Sequence, residues 1–269
     1  GNFLLKTMSQ KGDSRVLEYF LKPQLSPSVS GLTGFILGEQ AALNPSLNPG
    51  KASPDALNQA LGLNSKILLA TMKGIESHHG LVSCDAIRNQ ILLTLGNSEK
   101  SCTEAQVLAR ILPLAFLPVY DIQLLNTVTD VAAMTHSTND AVLCSCIYAE
   151  IIRQLAQGER NKRKAVEMAV ITVGGRYSVA ALGEQLDQIL NSEKVENSGN
   201  IASTLILALY CFEKSKSFDS CIHMAAQDVA GDRKLISAVA GSFAGVYYKL
   251  HGRPIQDVSR YETVINGLD

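Results

Sequence analysis

The chain contains no tryptophan, and phenylalanine and tyrosine bring its aromatic content to only 6%. Proline is scarce, with eight in 269 residues, and this leaves room for long uninterrupted helices. A dominant charge is also missing: 24 Lys and Arg stand against 25 Asp and Glu. The formal net charge of -1 gives no global field that would gather nucleic acid. The one dense basic run, Arg160-Asn-Lys-Arg-Lys164, reads as a solvated loop or helix start. No apolar run reaches the roughly 20 residues needed to cross a bilayer; the longest are residues 201–212 and 236–248. The opening Gly1-Asn-Phe-Leu-Leu-Lys is too short in apolar residues to act as a signal peptide. These absences lead to the expectation of a cytoplasmic protein with neither nucleic acid nor membrane as partner.

What is present is helical periodicity. Hydrophobic residues make up 46% of the chain, enough for one domain with a substantial core. Ile87, Ile91 and Leu95 fall at four-residue spacing, as do Val142 and Cys146, followed by Ala149 and Ile152. Asp187, Ile189 and Leu190 close another helical stretch. Residues 44–54, with three prolines and a glycine, read as a loop, and residues 192–200 as a polar break. Small residues at i and i+4 in Ala240-Gly-Ser-Phe-Ala-Gly245 predict a closely packed helix pair. Six cysteines are scattered through apolar runs; Cys144 and Cys146 point in different directions on one helix, so they form no metal pair. His78-His79 sits at a helix end. Gly174-Gly175 lacks the Lys-Ser/Thr of a phosphate loop and reads as a turn. The expected architecture is all-α, a single compact multi-helix bundle, with an N-terminal arm or helix (1–28, stopping near Pro23) followed by one domain over 29–269.

A set of ordered motifs narrows this further. Ser30-Gly-Leu-Thr-Gly-Phe-Ile-Leu-Gly38-Glu39-Gln-Ala-Ala42 is followed by Leu63-Asn64-Ser65-Lys66, then Ala109-Arg-Ile-Leu-Pro-Leu114 and Met134-Thr-His136. Gly231-Asp232-Arg-Lys234-Leu235 leads into a small-residue run, and Tyr247-Tyr248 and Arg253-Pro254 close the series. In this order and spacing the segments resemble the ADP-ribosylglycohydrolase family, which includes dinitrogenase-reductase-activating glycohydrolases and crystallin J1. The resemblance implies an all-α bundle of that type and begins at about residue 29.

Members of that family resemble two-magnesium hydrolases acting on ADP-ribosyl glycosidic bonds. Mg²⁺ prefers oxygen ligands in near-octahedral geometry, and two ions about 4 Å apart can position a water and stabilise developing charge. Carried over residue by residue, the acid of the opening motif is Glu39. The Asp pair of the second motif becomes Asn64 and Ser65, and its following Thr becomes Lys66. The last motif keeps Asp232, but its second acid is Lys234 and its Thr is Leu235. Three of five acids are gone and two lysines have arrived. The resemblance therefore implies no metal and no cofactor in this chain, and a cleft of Glu39, Asn64, Ser65, Lys66, Asp232, Lys234 and Leu235.

Three readings follow. The first is a pseudoenzyme that binds an ADP-ribose-like ligand or a protein partner through the old cleft. The second is a hydrolase of altered, metal-poor mechanism, with Glu39 and Asp232 as its catalytic pair. The third is a structural, crystallin-like protein. Glu39, Asp232, Lys66 and Lys234 sum to zero charge, so an ion pair between at least one lysine and one of these acids is expected.

Overall fold

The computed structural model describes residues 22–46, 61–96, 102–178, 198–227 and 229–267. Among these residues the chain forms eleven α-helices and two short 3-10 segments, Glu104–Gln106 and Leu112–Phe116. The extended pairing is confined to a bridge between Gln24 and His251, flanked by bonds from Leu25 N to Leu250 O and from Gly252 N to Pro23 O. The all-α expectation therefore holds. The stretch before Lys22, residues 47–54 of the proline-rich loop, residues 192–197 of the polar break and the run around Asp187 lie outside the described residues.

Helix α1 (Pro27–Leu43) starts where its sequence says it should. Ser26 accepts from Val29 N as N-cap, and Pro27 opens the first turn with its φ already set. Every residue from Ser28 to Ala41 is buried, so α1 runs through the middle of the molecule. Its closest neighbour is α10 (Arg233–Tyr248), which is antiparallel to it. An added Cβ on Gly34 would lie 2.2 Å from Gly241 O, one on Gly38 2.0 Å from Ser237 O, and one on Gly245 2.3 Å from Ser30 O. The two backbones thus touch along three successive turns. This is the close packing that the small residues at i and i+4 predict, and it involves both helices.

Around this pair stand α2 (Leu63–Glu76), α3 (Cys84–Leu95), α4 (Val107–Ile111), α5 (Asp121–Ala133), α6 (Asn139–Ala156), α7 (Lys162–Gly174), α8 (Ile201–Lys214), α9 (Phe218–Gln227) and α11 (Gln256–Ile265). One hydrophobic core joins them. Of the predicted inward positions of α3, Ile87 and Ile91 are buried, and Leu95 in the last turn is half-buried. In α6 the expectation of one buried face falls short, because every residue from Cys144 to Arg153 is buried. The reason is that α5, α7, α8 and α10 all pack on it. The C-terminal ends of α6, α8 and α10 come together, and Tyr148 and Phe212 meet Ser242 and Phe243 short of those ends, so α6 and α8 run alongside α10 in the same direction.

The basic run 160–164 provides that junction. The Lys162 ammonium donates to Phe212 O (2.6 Å), Ser215 O (2.8 Å) and the Tyr248 hydroxyl (2.9 Å), which satisfies all three N–H bonds. It also lies over the rings of Phe212, Tyr247 and Tyr248 at 4.6, 5.2 and 5.2 Å from their centroids. Arg160 donates to Tyr247 O, Arg163 pairs with Glu213, and Lys164 pairs with Glu159. The run fastens helix ends together at the start of α7.

One core group is poorly matched to its surroundings. Glu150 on α6 has no solvent exposure, and neither carboxyl oxygen has a hydrogen-bond partner. Desolvation pushes its pKa up to about 7; nearby Asp121 adds to the shift and Arg153 opposes it. In the unfolded chain the group ionises near its ordinary 4.5, whereas the fold holds it protonated to about 7. The unfolded chain therefore binds fewer protons in that window, and stability falls as pH rises through it.

Three outcomes follow from this packing. Gly38→Ala, which drives a methyl into Ser237 O, is expected to lower stability by about 3 kcal/mol or more in urea denaturation. Gly175→Ala, at a helix end with φ of -65° and its nearest neighbour at 3.4 Å, is expected to be neutral. Glu150→Gln is expected to stabilise the protein by up to about 3 kcal/mol at pH 8, with the gain shrinking toward zero near about pH 4. A gain independent of pH would place the cause elsewhere.

Candidate functional site

The α1–α10 contact sets the position of the site. Ser30, Gly34 and Gly38 oppose Gly245, Gly241 and Ser237, so Glu39 lies beside the second turn of α10. Continued by one turn, the same register places Asp232 level with Leu43, about 6 Å beyond Glu39 along the axis. The start of α2 arrives from a third direction. Glu39, Asn64 and Ser65 meet directly, and Asp232 and Lys234 border the same end of the bundle.

Helix α2 has no side-chain cap of its own, since its N-cap is Gly62. Glu39 supplies one from α1. Its Oε1 accepts from Asn64 N (3.0 Å) and Asn64 Nδ2 (2.9 Å), and its Oε2 accepts from Ser65 N (2.7 Å) and Ser65 Oγ (2.5 Å). Two of the orphan N–H groups of the first turn are satisfied by this one carboxylate. A negative group at a helix N-terminus also meets the positive end of the macrodipole. Gly62 permits the approach, because a Cβ there would lie 2.3 Å from the Glu39 carboxyl carbon. Glu39 and Ser65 have no solvent exposure and Asn64 only 2%, so the cluster is dry. Its remaining link is Gln106, whose Nε2 donates to Asn64 Oδ1 (3.3 Å) and whose Oε1 accepts from Thr103 N (2.8 Å). The motif reading missed Gln106. Its signal was the capping-box pattern Thr103-Glu-Ala-Gln106.

The other cleft positions behave differently. Asp232 is exposed and caps α10, its Oδ1 accepting from Leu235 N at 3.3 Å. Lys66 and Lys234 are exposed, and no ion pair joins either to Glu39 or Asp232. The expected lysine–carboxylate pair is therefore absent. Both Glu39 oxygens are already occupied in the interior, and an ammonium reaching them would lose its water. Leu235 is not presented to a cleft at all; it is fully buried in the core as the first inward residue of α10. Leu63 to Lys66 form the first turn of α2.

His136, of the Met-Thr-His segment, is half-buried, and its Nδ1 contacts Thr135 Oγ1 at 2.8 Å. Thr135 also receives the guanidinium of buried Arg110. Partial burial pushes the His136 pKa down, and the Arg110 charge adds to this. His78 and His79 lie in the turn after α2, where His78 meets Ser77 Oγ. Among the described residues no three His, Cys, Asp or Glu side chains gather as a metal-binding group.

Glu39→Gln replaces one of two accepting oxygens with an NH₂ that faces two donors. It is expected to destabilise the fold by about 3 kcal/mol or more, read by chemical denaturation. A stability equal to or above that of the parent would show that the carboxylate is held for chemistry rather than for the helix.

The family profile of ADP-ribosylglycohydrolases matches residues 40–262. The chain is 28% identical over 129 residues to the ADP-ribosylarginine hydrolase Tri1 of Pseudomonas putida (strain GB-1). That match covers 48% of this chain and 34% of the relative, so the chain spans about a third of the length of the curated relative it matches. A solved structure titled ADP-ribosylglycohydrolase-related protein complex superposes with a TM-score of 0.67 at 16% identity, covering 90% of this chain and 96% of that one. At that identity the likeness shows the fold. With the family profile covering most of its length, the chain belongs to the ADP-ribosylglycohydrolase family.

Proposed function

We propose that this chain is an ADP-ribosylglycohydrolase-like protein that has given up two-magnesium hydrolysis and serves as a ligand- or partner-binding module. The observation that carries this reading is the Glu39 carboxylate, which holds the first turn of α2 with both oxygens. A magnesium pair needs several free oxygen donors and the negative charge to offset them. Here the opening acid faces four N–H and O–H donors. The second-motif positions offer an amide and a hydroxyl, and Lys66 and Lys234 stand exposed at the same end of the bundle. The residues present do not fit the metal pair.

The metal-poor hydrolase reading finds less support. Glycosidic hydrolysis uses two carboxylates flanking the scissile bond. Of Glu39 and Asp232, only Asp232 reaches solvent. The Gln106–Asn64–Glu39 chain stiffens the floor between α1 and α2, which suits a surface that presents a fixed shape. The natural ligand to try is ADP-ribose, the group named in the relative's activity. No helix among the described residues is long and apolar enough to cross a membrane. No disulfide joins the six cysteines, four of them buried, which fits a reducing cytoplasm.

ADP-ribosylated arginine, incubated with the protein with and without Mg²⁺, is expected to release no ADP-ribose above the uncatalysed rate. Calorimetric titration with ADP-ribose in the absence of metal then separates a nucleotide-like ligand, which gives saturable heat, from a protein partner, which gives none. Turnover that rises with Mg²⁺ and vanishes in Asp232→Ala would overturn the proposal.

A further inference from the structure

A pocket of about 730 Å³ opens at the end of the bundle opposite Glu39, in the size range of small-molecule sites. It lies between the start of α1, the connector from Ala115 to Tyr120, and the last turns of α6 and α11. Its floor is built around a buried charge. Arg153, 5% exposed, donates to Val119 O (2.7 Å), Leu117 O (3.0 Å) and Asp121 Oδ1 (3.2 Å). These bonds fix the connector, and Asp121 balances the guanidinium.

What remains facing the pocket is negative. Glu262 lines it, and its Oε2 accepts from the hydroxyls of Ser26 and Ser28. Among the described residues no hydrogen bond or ion pair is formed by its Oε1. The C-terminal turns of α6 and α11 border the pocket, as do the first turns of α1 and α5, so the helix dipoles offset one another. The sides are apolar and aromatic, with Phe116 and Tyr120 among them, and Tyr120 is 81% exposed. A carboxylate oxygen without a donor and aromatic side chains beside it together select a cation on an apolar stem.

We infer that this pocket is a second binding site, independent of the cleft, for a protonated amine or guanidinium carried on an apolar stem. Such a group comes either as a free small molecule or as the basic side chain of a peptide. In either case the cationic head meets Glu262 Oε1 while the stem lies along Phe116 and Tyr120.

The test is calorimetric titration of the full chain with n-butylguanidinium and with its neutral isostere n-butylurea. Saturable binding of the cation is expected, with the urea at least about tenfold weaker and Glu262→Gln about tenfold weaker toward the cation. An acetylated Gly-Arg-Gly amide assigns the source: tighter than n-butylguanidinium indicates a peptide side chain, weaker indicates a free cation. Should Glu262→Gln fail to fold, Tyr120→Ala is read instead, at an exposed position, with binding about threefold weaker and an unchanged melting temperature. No saturation by the cation below about 20 mM, equal affinity for the urea, or unchanged binding in the variant that folds would each overturn the inference.

Discussion

The bare-backbone contact between α1 and α10 is the constraint on which the rest depends. Gly34 and Gly38 on α1, and Gly241 and Gly245 on α10, sit where any side chain would strike a carbonyl of the facing helix. Contact this close admits one register, since a shift of one residue would set a side chain against backbone. That register carries the last turns of α1 past the first turns of α10. It thereby fixes where Glu39 stands relative to Asp232 before any polar bond is counted. The polar bonds then follow, because the start of α2 has orphan N–H groups and no cap of its own.

At the Glu39 cluster, one carboxylate holds the first turn of a helix. Its negative charge is satisfied by the amide and hydroxyl hydrogens of Asn64 and Ser65. The lysines at positions 66 and 234 stay in water. Their contribution is to the charge at the rim of the cleft, not to its packing.

Much of the fold was legible in the sequence, for a physical reason. Small residues at i and i+4 in residues 240–245 mean close backbone approach wherever they occur in a helix, and the four-residue spacing of Ile87 and Ile91 marks a face without reference to the partner. The site was legible only as a list of positions. That Glu39 would bond Asn64 and Ser65 depends on an arrival 25 residues later in the chain, and the periodicity of either segment is silent about it. Leu235 shows the opposite failure: its place in a motif suggested a cleft, but three residues past the cap of α10 it faces inward. The lysine–carboxylate pair failed because a zero sum of charges says nothing about which groups are already hydrogen-bonded. Glu150, Arg153 and Glu262 carried no motif. Burial and the bonds they make or lack distinguish them, and those exist only in three dimensions.

In the proposed function Glu39 serves the helix and not an ion. Manganese titration followed by electron paramagnetic resonance reads this directly, because bound Mn²⁺ loses the six-line spectrum of the free ion. At about 1 mM Mn²⁺ with equimolar protein, the free-ion signal is predicted to match that of buffer alone within a few per cent, as it must when no oxygen-rich octahedral site is formed. Stoichiometric loss of that signal, restored to the buffer value in Glu39→Gln, would contradict it.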